Sequence, residues 1–384
     1  MIIGNYVSVV SGQKGFENNV SGHIQIPLHA MGLLKDAGHE VHLITNEFGP
    51  ERSLPNCMPD NVPIHYVVDA RRRGGVLNRT GEQSTGVKPG QLLKQLRQMK
   101  TIAKRENFDV LHFFGLNRTG HLAGILRFTG LHCPAVMTTY KADFPERLAP
   151  ITRFFWRRVS EVVTATEYVR TLQNKYGVPT SLLRHGLVRD IASERTDEEI
   201  GPKHRVLFWR DPTVRNGADV VMDVYERLAP QYPDISFDLA VRPHWNEIPD
   251  LKERASKFEN IHLHRFPYGG GITLPKLMLE SLCVLMPIRR ISIDPQLVIA
   301  ESLAAGVPTI ATDKHSISEM VLPGRNGYLI PEGDVDAATS SLDSILSDRE
   351  QAIKMGHNAR EDIQARFNWN TYVDDVVKIY KSVL

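Results

Sequence analysis

Residues 294–313 read DPQLVIAESLAAGVPTIATD, and the fold is decided by how they are read. Asp294 suits the cap of a helix, Pro295 its first turn, and Gly306 the left-handed residue that ends one. The run VPTIATD that follows reads as a buried strand. One residue is discordant. Glu301 has Leu297 and Val298 one turn before it and Ala304 and Ala305 one turn after it. Burying an unpaired carboxylate is costly, so Glu301 needs a partner. That partner is either a structural salt bridge or a ligand at the carboxyl end of a parallel sheet, and spacing alone leaves both open.

Working outward, the same alternation of apolar runs and helical patterns fills the chain. RVLFWR, ADVVMDVYERLA, ISFDLAV, IHLHRF and LPKLMLESLCVLMP lead up to the quoted stretch. An earlier series runs MIIGNYVSVV, SGHIQIPLHAMGLLKDAG, HEVHLIT, LLKQLRQMKTIAKREN, FDVLHFF, HLAGILRFTG, PAVMTTY, ITRFFWRRVSE and VVTATE. Such alternation predicts an α/β fold with helices on both faces of a parallel sheet. The series restarts after the polar ASERTDEEIGPKH, which predicts two doubly wound domains. The expected division is 1–190, a linker at 191–203, a second domain at 204–366 and a terminal segment at 367–384. Residues 69–91, DARRRGGVLNRTGEQSTGVKPGQ, are basic, Gly-rich and aperiodic, and read as a long loop that is functional or a solvated insertion.

Composition narrows the function classes. The 384 residues are 42% hydrophobic with a formal net charge of +2, so a bulk polyanion such as nucleic acid is not an expected partner. Three widely spaced cysteines, Cys57, Cys133 and Cys283, fit reduced thiols in a cytoplasmic protein and match no zinc spacing. The start MIIGNYVSVVSGQKG reads as a strand rather than a signal peptide, and no run approaches 18 apolar residues. The sequons at Asn19, Asn78 and Asn117 are then chance matches.

Ligands of open α/β sheets bind outside the carboxyl ends of the strands, and two such domains are expected to share a cleft. The loop SGQKGFENNVSG sets Gly12, Gly15 and Gly22 before a helix, where backbone approaches a ligand and a helix N-terminus favours an anion. It is not a G-x-G-x-x-G motif, and a generic Gly-rich turn is the competing reading. In LFWRDPTVRNG, Arg210 ends a strand and Arg215 precedes the next helix. Guanidinium groups suit a phosphate, against the alternative of two solvated arginines.

These stretches carry a resemblance. VLFWRDPTVRNGADVV, DPQLVIAESLAAGVPTIATDKHSISEMVLPGRNGYLIPEGD and ARFNWNTYVDDVVKIYKSVL look like the C-terminal half of family-four glycosyltransferases, and LLKDAGHEVHLIT, FDVLHFFG and VVTATEYVRTLQNKYG resemble their N-terminal half. The family consists of retaining enzymes with two Rossmann-like domains, the GT-B fold. The resemblance implies an acceptor domain first and a nucleotide-sugar domain second, with the last helix crossing back to the first. It implies that Glu301 holds the donor ribose and that Arg210 stabilises the diphosphate. Gln296, Leu297, Gly12 and Gly15 are further donor-side candidates, and His112 and Asn19 are acceptor-side candidates. The expected donor is of UDP or GDP type, with no cofactor and no metal expected. Acceptors are a glycan, a lipid-linked molecule or a small molecule, with peripheral membrane contact open.

The departures matter. The family's Glu-x7-Glu would place its first Glu at Ile293; only Asp294 is near, as a sugar contact or merely an N-cap. The usual lysine is Asn216, which makes Arg215 a candidate to supply the missing charge. The loop histidine is replaced near Tyr140 and Lys141, and His185 stands where Asn is usual. Asp334 and Asp336 do not read as a metal site, His29, His112 and His121 lack ligand spacing, and His112 is also open to a structural role. RFFWRRVSE reads as packed aromatics with solvated arginines, or as an interfacial helix. The departures also support a catalytically inactive partner subunit; a nucleotide-sugar epimerase would need more acid–base groups.

Overall fold

The structure, a computed structural model, describes residues 1–14, 22–70, 87–141, 149–189, 191, 200–242, 246–269, 271–291 and 293–384. Gly15, Asn19, Asn78 and most of the 69–91 stretch therefore lie outside the described residues. The chain divides into two compact units, Met1–Val188 with Trp369–Leu384, and Arg189–Asn368.

The first unit contains β1 (Ile2–Val7), β2 (Gly12–Gln13), α1 (Gly22–Asp36), β3 (Glu40–Asn46), β4 (Arg52–Ser53), β5 (Ile64–Val67), α2 (Pro89–Arg105), β6 (Val110–Gly115), α3 (Asn117–Phe128), β7 (Ala135–Thr139), α4 (Ala149–Trp156), β8 (Glu161–Thr164), α5 (Glu167–Lys175) and β9 (Ser181–Leu182). Its parallel sheet has the order β5-β3-β1-β6-β7-β8-β9, while β2 and β4 form a separate antiparallel pair. The chain winds outward from β1 and returns to the other side of β1 at β6, which makes the β1/β6 border the switch point. Met99, Phe108, Phe113, Met137 and Trp156 anchor one face of the core.

The second unit contains β10 (Arg205–Phe208), α6 (Ala218–Leu228), β11 (Ser236–Val241), α7 (Leu251–Ser256), β12 (Ile261–Arg265), α8 (Leu274–Leu279), β13 (Ser281–Met286), α9 (Leu297–Ala304), β14 (Thr309–Thr312), β15 (Gly327–Ile330), α10 (Val335–Ser347) and α11 (Arg349–Arg366). Its six strands are parallel in the order β12-β11-β10-β13-β14-β15, and β10/β13 is the switch point. Every residue of β11 and β13 is buried, as both-faced strands require. Helix α9 and strand β14 fall where the quoted stretch predicts them, and Gly306 has φ 74° after the helix.

The last helix, α12 (Tyr372–Val383), belongs to the first unit and buries Tyr372, Val376 and Tyr380. The RFFWRRVSE stretch is split in its behaviour. Trp156 is fully buried, and a Cβ on Gly120 would sit 2.2 Å from its ring, so the glycine is what lets α3 and α4 meet. Phe154 and Phe128 are exposed, with the Arg158 guanidinium 3.5 Å and 5.2 Å from their ring centres. Among the described residues no helix is long and apolar enough to cross a membrane.

Candidate active site

The carboxyl end of the second sheet gathers the residues singled out by the sequence. Arg210 follows β10 and is half-buried. Burial pulls its guanidinium below its ordinary value, Asp211 and Glu301 pull it back up, and Arg215 and Arg242 push it down further. Three arginines therefore share one electrostatic neighbourhood with Glu301. An arginine stays protonated through such shifts, so the group is a fixed cationic cluster.

Local structure holds that cluster in place. The Arg215 carbonyl accepts from the amides of Arg289 and Arg290 just beyond β13, at 3.0 and 3.2 Å. The Asn216 side-chain amide donates to the Asp211 carbonyl at 2.9 Å, so Asn216 stabilises the turn instead of carrying charge. Gly217 has φ 79°, and a Cβ there would lie 2.0 Å from the Pro287 carbonyl oxygen. Only glycine lets the N-terminus of α6 close against the end of β13. The Trp209 indole donates to Ser302 Oγ at 3.0 Å, tying the end of β10 to α9 beside Glu301.

Three buried side-chain atoms of the described second unit have no hydrogen-bond partner: Arg210 Nε, Thr213 Oγ1 and Thr312 Oγ1. All three follow or close the carboxyl ends of β10 and β14. Such atoms occur in the first unit as well, Tyr140 Oη and Thr164 Oγ1 among them; a polar ligand at the carboxyl end of the second sheet would satisfy the three found there.

Glu301 is half-buried within α9 and attracts Arg210. Asp294 corrects an expectation. It does not cap the helix, whose N-cap is Gln296 with no side-chain cap bond. Its carboxylate instead accepts from Ser316 Oγ at 2.6 Å and the Ser316 amide at 3.4 Å, and pairs with His315 Nδ1 at 3.0 Å. It is 2% exposed and lies outside α9, so it does not share a helical face with Glu301. Gln296 turns its side-chain amide to the Ile293 carbonyl at 2.5 Å, and half-buried Leu297 opens the helix. Asp334 caps α10 by accepting from the Ala337 amide, and Asp336 pairs with Arg227.

The candidates of the first unit are placed differently. Gly12 lies in the short β2–β4 pair, where Arg52 donates to the Ser11 carbonyl and hydroxyl. His112, a candidate for the acceptor, is fully buried, with Nδ1 2.6 Å from Tyr380 Oη and Nε2 2.7 Å from Thr138 Oγ1. Burial pulls its ring down to about 3, so it is a neutral link between β6, β7 and α12 rather than an acceptor contact. Tyr140 is likewise buried, just after β7, with its phenol pushed well above its ordinary value by burial and its hydroxyl without a hydrogen-bond partner. Half-buried Lys141 accepts at its carbonyl from Gln173 Nε2 at 2.9 Å. His185 lies under Trp369, and burial lowers it to about 4; the Trp369 indole donates to the Leu187 carbonyl. His121 Nε2 lies 2.8 Å from Thr152 Oγ1. Arg242, Trp209, Ser302, His315 and Ser316 were not singled out by the sequence; only Arg242, charged and directly after a strand, carried a readable signal.

Residues 193–362 match the family model described as glycosyl transferases group 1, and residues 22–184 match the glycosyl transferase 4-like domain. The N-acetyl-alpha-D-glucosaminyl L-malate synthase of Bacillus anthracis is 24% identical over 373 residues, 91% of each chain. The phosphatidyl-myo-inositol mannosyltransferase of Mycolicibacterium smegmatis is 23% identical over 378 residues, 95% of this chain and 90% of its own. Among solved structures, Anabaena HepE in complex with UDP has a TM-score of 0.72 at 14% identity, with all of both chains covered. Sucrose-phosphate synthase of Thermosynechococcus elongatus has 0.69 at 15%, covering 99% and 98%. The fold is that of the GT-B glycosyltransferases. The chain belongs to their family four, as a divergent member.

Proposed function

We propose that the protein transfers a hexosyl group from a nucleoside-diphosphate sugar of UDP or GDP type, with retention and without a metal ion at the diphosphate. The observation that carries this reading is the orphaned Arg210 Nε, buried among Arg215, Arg242 and Glu301. A diphosphate would satisfy that nitrogen and neutralise the mutual repulsion of the arginines. Negative charge grows on the leaving diphosphate as the bond to the sugar breaks, and fixed cations stabilise it most at that point. The same diphosphate oxygen can accept the proton of the acceptor hydroxyl, so the chemistry needs no carboxylate nucleophile.

The acceptor is a glycan, a lipid-linked molecule or a small molecule. One relative is named for L-malate and another for phosphatidyl-myo-inositol, which supports the last two classes alike. Peripheral membrane contact through exposed Phe128, Phe154 and their neighbouring arginines belongs to the same proposal. The test is hydrolysis of a panel of nucleotide sugars in excess chelator, with the released sugar's anomer followed by NMR. Hydrolysis of one donor with its α-configuration kept is expected. Loss of activity in chelator, restored by magnesium, would overturn the metal-free reading.

A second reading, a partner subunit that binds nucleotide without turning it over, is favoured by one observation. The Asp294 carboxylate, the nearest acid to the missing family glutamate, is consumed by His315 and Ser316. Nucleoside-diphosphate binding with no hydrolysis of any donor would support it.

A further inference from the structure

Among the described residues, one group of three side chains offers metal-ligand atoms within 4.8 Å of one another: His42, His65 and Glu106, all in the first unit. His42 lies on β3 and His65 on the edge strand β5, where His65 pairs with Ile44 and His42, two positions earlier, is its diagonal neighbour on the same face. Glu106 is the C-cap of α2. From these positions we propose that His42 Nδ1, His65 Nε2 and the Glu106 carboxylate form a site for a divalent transition metal of zinc type.

The hydrogen bonds fix which atoms are available. Glu40 Oε1 lies 3.0 Å from His42 Nε2, and a carboxylate can only accept, so the proton of a neutral His42 is on Nε2. The lone pair of His42 is therefore on Nδ1, which faces His65 Nε2 at 2.9 Å. A carboxylate accepting from the far nitrogen of a ligating imidazole is the outer-shell arrangement that orients metal-bound histidines. His42 is 3% exposed, so its ring is held by packing as well. Two histidines and a carboxylate with one open position suit zinc.

The guanidinium of Arg105 currently spans the other two ligands. Its Nη2 lies 3.1 Å from His65 Nδ1, and its Nε donates to Glu106 Oε1 at 2.6 Å. With Nδ1 accepting, the proton of neutral His65 sits on Nε2 and points at His42 Nδ1. Metal binding at Nε2 moves that proton to Nδ1, which then repels the Arg105 N–H. Arg105 is mostly exposed and turns into solvent, which frees Glu106 to become the third ligand. The nitrogen pair opens from 2.9 Å to roughly 3.4 Å, as tetrahedral bonds of ~2.0–2.1 Å require. His65 is on an edge strand, where that shift meets least resistance. A surface pocket of about 490 Å³ lined by Tyr66, Arg97, Gln98 and Thr101 reaches both His65 and Arg105, and gives an ion its route from water.

The test is titration of the full chain with Zn²⁺ by calorimetry and with Co²⁺ by visible absorption, at pH 7.5. One equivalent should bind and raise the melting temperature, since a ligand that binds only the folded state stabilises it. His65→Gln and Glu106→Gln, both at partly exposed positions, should weaken binding at least tenfold. Arg105→Gln should tighten it, because the guanidinium competes with the ion. Absence of binding, binding unchanged in His65→Gln, or weaker binding in Arg105→Gln would each overturn the proposal.

Discussion

Glu301 attracts the guanidinium of Arg210 against the combined effect of burial and of two further arginines, Arg215 and Arg242. The Trp209–Ser302 hydrogen bond ties the end of β10 to the middle of α9 beside them. Arg210 is half-buried and Arg215 and Arg242 are exposed, so three cationic side chains crowd the carboxyl end of one sheet. A bound dianion would relieve the repulsion among them.

Arg210→Ala should lower turnover by ~10²–10³ with a smaller loss of donor affinity, because a preorganised cation acts most strongly on developing charge. Arg210→Lys should restore only part of the rate, since an ammonium lacks the planar fork. Steady-state kinetics on the preferred donor decide the matter. A wild-type rate for Arg210→Ala would remove the diphosphate role.

Glu301→Gln should keep the fold, as the side chain is only half-buried, and weaken nucleotide binding by roughly 1.5–3 kcal/mol, the range of a charge-assisted hydrogen bond. Calorimetry with UDP and GDP reads this directly. Unchanged affinity for both would leave Glu301 as a partner of Arg210 alone.

Gly217→Ala should destabilise the protein by at least about 2 kcal/mol, from left-handed backbone strain and overlap with the Pro287 carbonyl. It should also weaken nucleotide binding, because the end of β13 and the N-terminus of α6 must separate. Denaturant unfolding and calorimetry on the same variant test both effects. A variant with wild-type stability would show that the turn relaxes freely.

Much of the second unit was legible because helix and strand signals agreed with each other: α9, Gly306 and β14 follow directly from DPQLVIAESLAAGVPTIATD. Arg210 was legible for the same reason, since a charged residue directly after an apolar strand must emerge at the sheet's carboxyl end. Asp294 was misread because a good N-cap residue met a stronger tertiary demand from Ser316 and His315, more than 20 positions downstream. A structural role for His112 was one of two open readings, because alternation cannot tell which polar side chain on a two-sided strand will find a buried partner. Tyr380, His112's partner, lies 268 positions away. The His42–His65 pair shows the same limit, since only the β3–β5 register brings the two rings together.

The His112 link makes the fold sensitive to acid. Its ring titrates near 3 when folded and near 6.5 when unfolded, because burial disfavours the imidazolium. Below pH 6.5 the unfolded chain therefore binds a proton that the folded chain refuses, and stability falls as pH falls. The stabilisation is fully present above pH 6.5 and is lost progressively down to about pH 3. Between pH 6.5 and 4.5, above the range where most carboxylates titrate, His112 alone should account for ~2–3 kcal/mol of lost unfolding free energy. His185, lowered to about 4 by burial, adds a second slope of the same sign. His112→Gln should flatten the pH dependence by one proton's worth even though it lowers stability at pH 7.5. Tyr380→Phe, which removes a partner but leaves the buried ring, should keep the slope. Urea unfolding at half-unit pH intervals distinguishes these outcomes. Identical slopes for wild type and His112→Gln would mean that the ring is hydrated and titrates normally in the folded protein.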